Sequence, residues 1–163
     1  MSNKKKDNLL EKHYTPTKLM DFMYGLLERN NIIPTEWLEN SAGDGRMVDY
    51  LKSKTPNINV RAFDILNETK NPDIIELDYL KHPITYKEGR VCFMNPPFHK
   101  TTSFIKKAFK ECDYVVGIYS PSSMINIDWE KYELVDDIYW IKNADFQSVK
   151  MDIVVILLKR LEV

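Results

Sequence analysis

Residues 90–94 read RVCFM, and Val91, Cys92, Phe93 and Met94 leave no polar position to face water. An unbroken apolar run of this length is the pattern of a central parallel strand buried on both faces. Asn95 ends it. Pro96 and Pro97 donate no ladder hydrogen bonds and hold the chain extended, so the Asn95 amide stands on a stiff segment at the carboxyl end of the strand. In open α/β sheets that end is where ligands bind.

The rest of the chain supplies the other parts of such a sheet. Leu19, Phe22, Met23, Leu26 and Leu27 recur at helical spacing after YTPT, where Thr15 can cap the helix and Pro16 suits its first position. EWLENS reads as a first strand. It breaks at AGDG into a helix from about Arg46 to Lys54, and INVRAFDI and DIIELDYL read as strands two and three. RVCFM is the fourth strand. A helix follows from about Thr102 to Glu111, and YVVGIYS is the fifth strand. The stretch DIYWIKNADFQSVKMDIVVILLKR offers two strands with a modest connection, which suits an antiparallel hairpin closing the sheet. Strand alternating with helix throughout predicts a doubly wound, mostly parallel α/β fold.

The chain of 163 residues fits one domain with a sizeable core, preceded by a charged tail over residues 1–12. No apolar run reaches transmembrane length and the start MSNKKKDN has no signal-peptide character, so the expectation is a soluble cytoplasmic protein with no membrane partner. Cys92 and Cys112 have no metal or redox spacing, and His13, His82 and His99 have no ligand spacing among themselves, so no metal site is expected. The net charge of −1 gives no global attraction to phosphate, so any hold on nucleic acid relies on local basic patches or a partner.

Several short signals stand in order along these elements. Gly43 and Gly45 in ENSAGDG occupy a strand-to-helix turn where the backbone must bend tightly and admit a ligand. Asp64 lies about twenty residues further on, at the end of strand two, where a carboxylate can accept from ribose hydroxyls, and Asp78 ends strand three. Acidic residues at strand ends also cap the element that follows or meet solvent. Neither a Gly-x-Gly-x-x-Gly nor a Walker lysine is present, which favours another adenosine-bearing cofactor over a dinucleotide or nucleoside triphosphate.

YTP before a helix, ENSAGDG, FDI, LDYL, NPPF and a late FQSVKMDIVVILLKR together resemble the ordered motifs of S-adenosylmethionine-dependent adenine-N6 DNA methyltransferases, with the gamma-class order. The resemblance covers about residues 13 to 160. It implies a seven-stranded Rossmann-like methyltransferase sheet and a single catalytic domain over residues 13–163. It also implies S-adenosylmethionine as cofactor, held by Tyr14, Thr15, Pro16, Glu39, Ser41, Ala42, Gly43, Gly45, Asp64, Ile65, Asp78, Tyr79, Leu80 and Asn95. Within that set Thr15 takes the methionine carboxylate, Glu39, Ala42 and Gly43 the sulfonium side, Asp64 the ribose, and Asp78 with Leu80 the adenine.

Asn95, Pro96, Pro97 and Phe98 would form the catalytic loop, with Asn95 and the Pro96 carbonyl accepting from the target amine. Phe98 would stack on a flipped base and Phe146 on its other face, although an aromatic beside a hairpin is equally a core residue. His99 and Lys100, with Lys106, Lys107 and Lys110, form a phosphate-facing patch or a solvated helix face. The implied partner is nucleic acid, DNA before RNA. Because the sequence stops soon after the late motif, weak intrinsic sequence specificity is expected, with a specificity subunit or a homodimer restoring grip. Two other functions share these features: a glutamine-N5 protein methyltransferase with an NPPY-type loop, and a non-catalytic cofactor-binding subunit.

Overall fold

The apolar stripe after YTPT becomes helix α1 (Thr17–Arg29), which buries Leu19, Met20, Met23, Leu26 and Leu27 along one side. In the computed structural model, which describes residues 14–146 and 149–162, it lies on one face of a single sheet. The charged tail read over residues 1–12 falls outside the described residues. The remaining elements are β1 (Glu36–Glu39), α2 (Arg46–Lys54), β2 (Val60–Asp64), β3 (Ile74–Glu76), β4 (Arg90–Met94), α3 (Thr101–Ala108), β5 (Tyr114–Tyr119), β6 (Tyr132–Leu134), β7 (Tyr139–Phe146) and β8 (Val149–Arg160).

The strand order is β3-β2-β1-β4-β5-β8-β6, with β7 also paired to β8. Strands β1 to β5 are parallel, and β8 runs antiparallel to β5, β6 and β7. This is a mostly parallel α/β sheet closed by an antiparallel hairpin. RVCFM is β4, in the middle, and all five of its residues are buried. Its side chains alternate between two cores: Val91 and Phe93 pack with Trp37, Val116 and α1, whereas Cys92 and Met94 pack with Leu38, Val115 and α3. Each fully buried aliphatic or aromatic side chain contributes about 1.5–3 kcal/mol relative to exposure.

Three expectations need correction. The sheet has eight strands, because the outer edge beside β8 is interrupted. From Leu134 to Tyr139 that edge advances five residues while β8 advances three, from Leu158 to Val155. The ladder opens between β6 and β7, and β6 is a short strand additional to the expected hairpin. Helices do not alternate with strands throughout. Residues 65–73 join β2 to β3 without a helix, because Asn67 Nδ2 donates to the Asn71 and Ile74 carbonyls and Asn67 Oδ1 accepts from the Asn71 N–H. Side chains there satisfy backbone groups that a helix would otherwise pair.

Thr15 does not cap α1. Pro16 is the cap residue and makes no side-chain bond, while the Thr15 hydroxyl is engaged elsewhere, with Met47 and Asn95. Among the described residues no helix is long and apolar enough to cross a membrane.

Candidate active site at the carboxyl ends of β1, β2 and β4

The turn after β1 is held in a shape that only glycine adopts easily. Gly43 and Gly45 have φ of +57° and +87°. A Cβ at Gly43 would lie 3.2 Å from the Tyr14 ring, and one at Gly45 would lie 2.4 Å from Asn71 Nδ2. The Gly43 N–H donates to Asp64 Oδ2 at 2.8 Å, and the Leu66 N–H donates to Asp64 Oδ1 at 3.0 Å. One carboxylate therefore ties the glycine turn to the end of β2. Tyr14 covers the turn from outside, with the Arg46 guanidinium 4.9 Å from its ring centre.

Glu39, at the end of β1, is fully buried. Burial pushes its carboxyl up to about 8; the Ser41 N–H, donating to Oε1 at 3.0 Å, opposes this and the nearby Asp64 charge adds to it. Burial thus favours the protonated form of Glu39. Its Oε2, the adjacent Asn40 Oδ1 and the Ser41 Oγ are buried without hydrogen-bond partners among the described residues. The fourth such atom, the Tyr119 hydroxyl, sits in the core on β5. Three orphaned oxygens on consecutive residues are a costly arrangement for a structural turn and a natural one for a polar ligand site.

The raised pKa has a sign that can be measured. Between the ordinary value of 4.5 and about 8 the folded chain keeps a proton that the unfolded chain has released, so stability falls as pH rises across that window. Glu39→Gln retains the acceptor for Ser41 and carries no charge. Its stability relative to wild type is expected to grow with pH through the window and to level off above about pH 8. Urea unfolding below, within and above that range checks this, and a pH-independent difference would refute it.

At the end of β4, Asn95 is only partly buried and its Nδ2 donates to the Thr15 hydroxyl at 3.1 Å, which in turn donates to Met47 Sδ at 3.2 Å. Residues Phe98–Lys100 form a 3₁₀ turn leading into α3. Asp78 accepts from the Leu80 N–H at 3.1 Å and so caps the short turn Tyr79–Lys81. The Tyr79 hydroxyl donates to buried Glu111 at 2.6 Å, and Lys107 bridges that carboxylate from α3. These contacts fix the wall that Asp78, Tyr79 and Leu80 present.

A single cavity collects most of the residues singled out in the sequence. Tyr14, Ser41, Gly43, Asp64, Ile65, Asp78, Tyr79, Leu80, Asn95, Pro97, His99 and Lys100 line it. Thr15, Pro16, Glu39, Ala42, Gly45 and Pro96 do not; Thr15 reaches the site through Asn95, and Ala42 donates its N–H to the Phe63 carbonyl. Phe98 and Phe146 also lie off the cavity. Phe98 is half-buried against the α1-side core, and Phe146 is 1% exposed within that core, the alternative that the sequence left open for it. The alternation of β7 turns Ala144 and Phe146 inward together.

Sequence reading missed Asn40, Leu66, Glu68, Thr69 and Phe104, which also line the cavity. Phe104 is buried on the inward side of α3. Among the described residues no cluster of His, Cys, Asp and Glu is placed to hold a metal, and both cysteines are buried thiols.

No protein-family model matches the chain, and no curated protein matches it in sequence. Solved structures do. Thermoplasma acidophilum 1320 is 17% identical, with 91% of this chain and 89% of that chain covered and a TM-score of 0.68. The 23S rRNA methyltransferase ErmE is 13% identical over 92% of this chain and 70% of that chain, at 0.65. Magnesium protoporphyrin IX methyltransferase from Synechocystis PCC 6803, solved with bound S-adenosylmethionine, is 11% identical over 88% and 79%, at 0.64. With its strand order and antiparallel closing strand, the chain has the Rossmann-like methyltransferase fold.

Proposed function

We propose that the chain transfers a methyl group from S-adenosylmethionine to the exocyclic N6 amine of an adenine in nucleic acid. The observation that carries this reading is Asn95-Pro96-Pro97 leaving the central strand beside a cavity rimmed by acceptors, Asp64, Asp78, Asn40 and Ser41 among them. The donor fits that chemistry: it carries an ammonium, a sulfonium and two ribose hydroxyls, all of which pair with acceptor oxygens. When bound it supplies an activated methyl group on sulfur. Tyr14, Ser41, Gly43, Asp64, Asp78 and Leu80 would hold it.

The work left to the protein is to make a poor nucleophile attack. The lone pair of an adenine amine is delocalised into the ring. Asn95, its carboxamide oriented by Thr15, and the Pro96 carbonyl would accept the two amine hydrogens, favouring a pyramidal nitrogen and stabilising the positive charge that develops on it. No strong base is required. An adenine must leave its stack to arrive, and Phe98, directly after the loop, would offer it a ring face. Phe146, closed in the core, is given no such role.

DNA is the substrate favoured by the motif order. A second reading, RNA, is raised by the likeness to ErmE, which acts on 23S rRNA. The test is to incubate the chain with methyl-labelled cofactor and DNA, RNA or a release-factor protein, then hydrolyse the products. Label recovered as N6-methyladenine is expected. Label on glutamine, or on no acceptor, would overturn the proposal.

Asp64→Ala is expected to weaken cofactor binding by about 1–3 kcal/mol, through lost hydrogen bonds to a charged acceptor. It also strips the Gly43 and Leu66 N–H groups of their partner, so calorimetry should be corrected for the folded fraction. Unchanged affinity would reject the ribose assignment.

A further inference from the structure

Of the polar cavity residues to which the sequence reading gave no role, Glu68 and Thr69 are exposed and Asn40 is buried. It follows β1 and is 2% exposed, and its Nδ2 faces Cys92 Sγ and Met94 Sδ, each at 3.4 Å. Sulfur is a weak acceptor, yet the two contacts fix the plane of the carboxamide. Its Oδ1, on the branch turned away from those sulfurs, has no partner among the described residues, and the side chain lines the cavity.

Position then decides which part of a ligand it meets. Cys92 and Met94 belong to the α3-side core, as do Tyr79 and Phe104, which line the cavity with Asn40. Thr15, Asn95 and Met47 gather on the α1 side. A flat purine matches the apolar wall of Leu80, Tyr79 and Phe104, so the hydrogens within reach of Asn40 are the N–H and O–H groups of a nucleoside. We infer that Asn40 binds the nucleoside half of the methyl donor, its Oδ1 accepting one hydrogen bond from that half. The inference rests on the cofactor reading given above.

An oxygen kept for a ligand is a burden in the empty protein, and this separates a binding role from a structural one. Asn40→Leu is expected to leave the melting temperature of the free protein unchanged or raised. It should weaken binding of S-adenosylmethionine, S-adenosylhomocysteine and 5′-methylthioadenosine alike, each by about tenfold. The 2′-deoxy, 3′-deoxy or 6-desamino analogue that lacks the donated hydrogen should bind wild type and variant equally.

Unchanged affinity in the variant, a loss confined to the two ligands that carry the amino-acid half, or a constant ratio for all three analogues would each overturn the inference while leaving the cofactor reading intact. Failure of the wild type to bind any of the three ligands would overturn both. Should the variant not fold, the side-chain amide resonances of Asn40 in the wild type serve instead. They should shift on addition of 5′-methylthioadenosine, and their staying in place refutes the contact.

Discussion

Asn95→Ala is expected to lower the rate of methyl transfer by at least about a hundredfold while leaving cofactor affinity nearly unchanged. The side chain accepts its hydrogen bond most strongly once charge appears on the amine, so its loss falls on the chemical step. Asn95 also lines the cavity and contacts Thr15, but Thr15 keeps its bond to Met47 when the carboxamide is removed. The site should therefore keep its shape. Thr15→Val leaves the carboxamide in place and removes its orienting partner along with the bond to Met47, so a smaller loss of rate is expected there. Calorimetry on the cofactor beside single-turnover transfer separates the two effects. Retention of most of the turnover by Asn95→Ala would make Asn95 a structural residue and sink the proposed mechanism.

The largest effect on stability is expected at the opposite, amino-terminal end of the central strands. Arg90 begins β4, is 3% exposed and donates to Glu36 Oε1 at 2.7 Å, while its Nη1 donates to the Thr85 and Glu111 carbonyls at 2.8 and 2.9 Å. Burial alone would raise the Glu36 pKa, but hydrogen bonds from Asn59 and Arg90, with the Arg90 and Lys87 charges, outweigh it and hold the carboxyl below its ordinary value. Arg90→Ala would leave a buried carboxylate facing a vacated space and the Thr85 carbonyl without its donor, while the Glu111 carbonyl would keep only the Lys87 N–H. Breaking a pair of this kind costs about 3–5 kcal/mol. For a domain of this size that corresponds to a fall in melting temperature of roughly 10 °C. A shift below a third of that would mean that Lys87 and water compensate. Because the Glu36 pKa is depressed, its share of the stability is present above the unfolded value and is lost as pH falls through the folded one.

These two residues show which parts of the molecule were legible in the sequence. RVCFM followed by Asn-Pro-Pro is a local pattern, and local sterics alone place Asn95 at the end of a buried strand. Gly43 and Gly45 were legible for the same reason: a backbone that must reach positive φ selects glycine wherever it occurs. Phe146 was not legible. Whether a ring in a hairpin points to a site or to the core depends on register, and β7 contains a shift between Ile141 and Ala144, with Asn143 at φ +51°, that no pattern in the sequence marks. Thr15 misled because a hydroxyl before a helical stripe reads as a cap, and only the fold brings Asn95, eighty residues away, within 3.1 Å of it. Asn40 escaped notice because one asparagine between Glu39 and Ser41 looks like the start of a loop. Its burial against Cys92 and Met94 exists only once β1 and β4 lie side by side.

The place of β8 in the sheet bears on how the chain reaches its native state. It is the last of the described strands in sequence, yet it lies between β5 and the β6–β7 edge, and every side chain from Ile153 to Leu158 is fully buried. During synthesis, β5 therefore emerges well before the partner that covers its open side, presenting the apolar edge YVVGIY unpaired. An exposed edge of that composition invites pairing with other chains, so the nascent protein passes through an interval of aggregation risk that ends when β8 inserts. That insertion joins both cores in one event, because Val154 and Ile156 enter the core beside α3 while Ile153, Val155 and Leu157 enter the one beside α1.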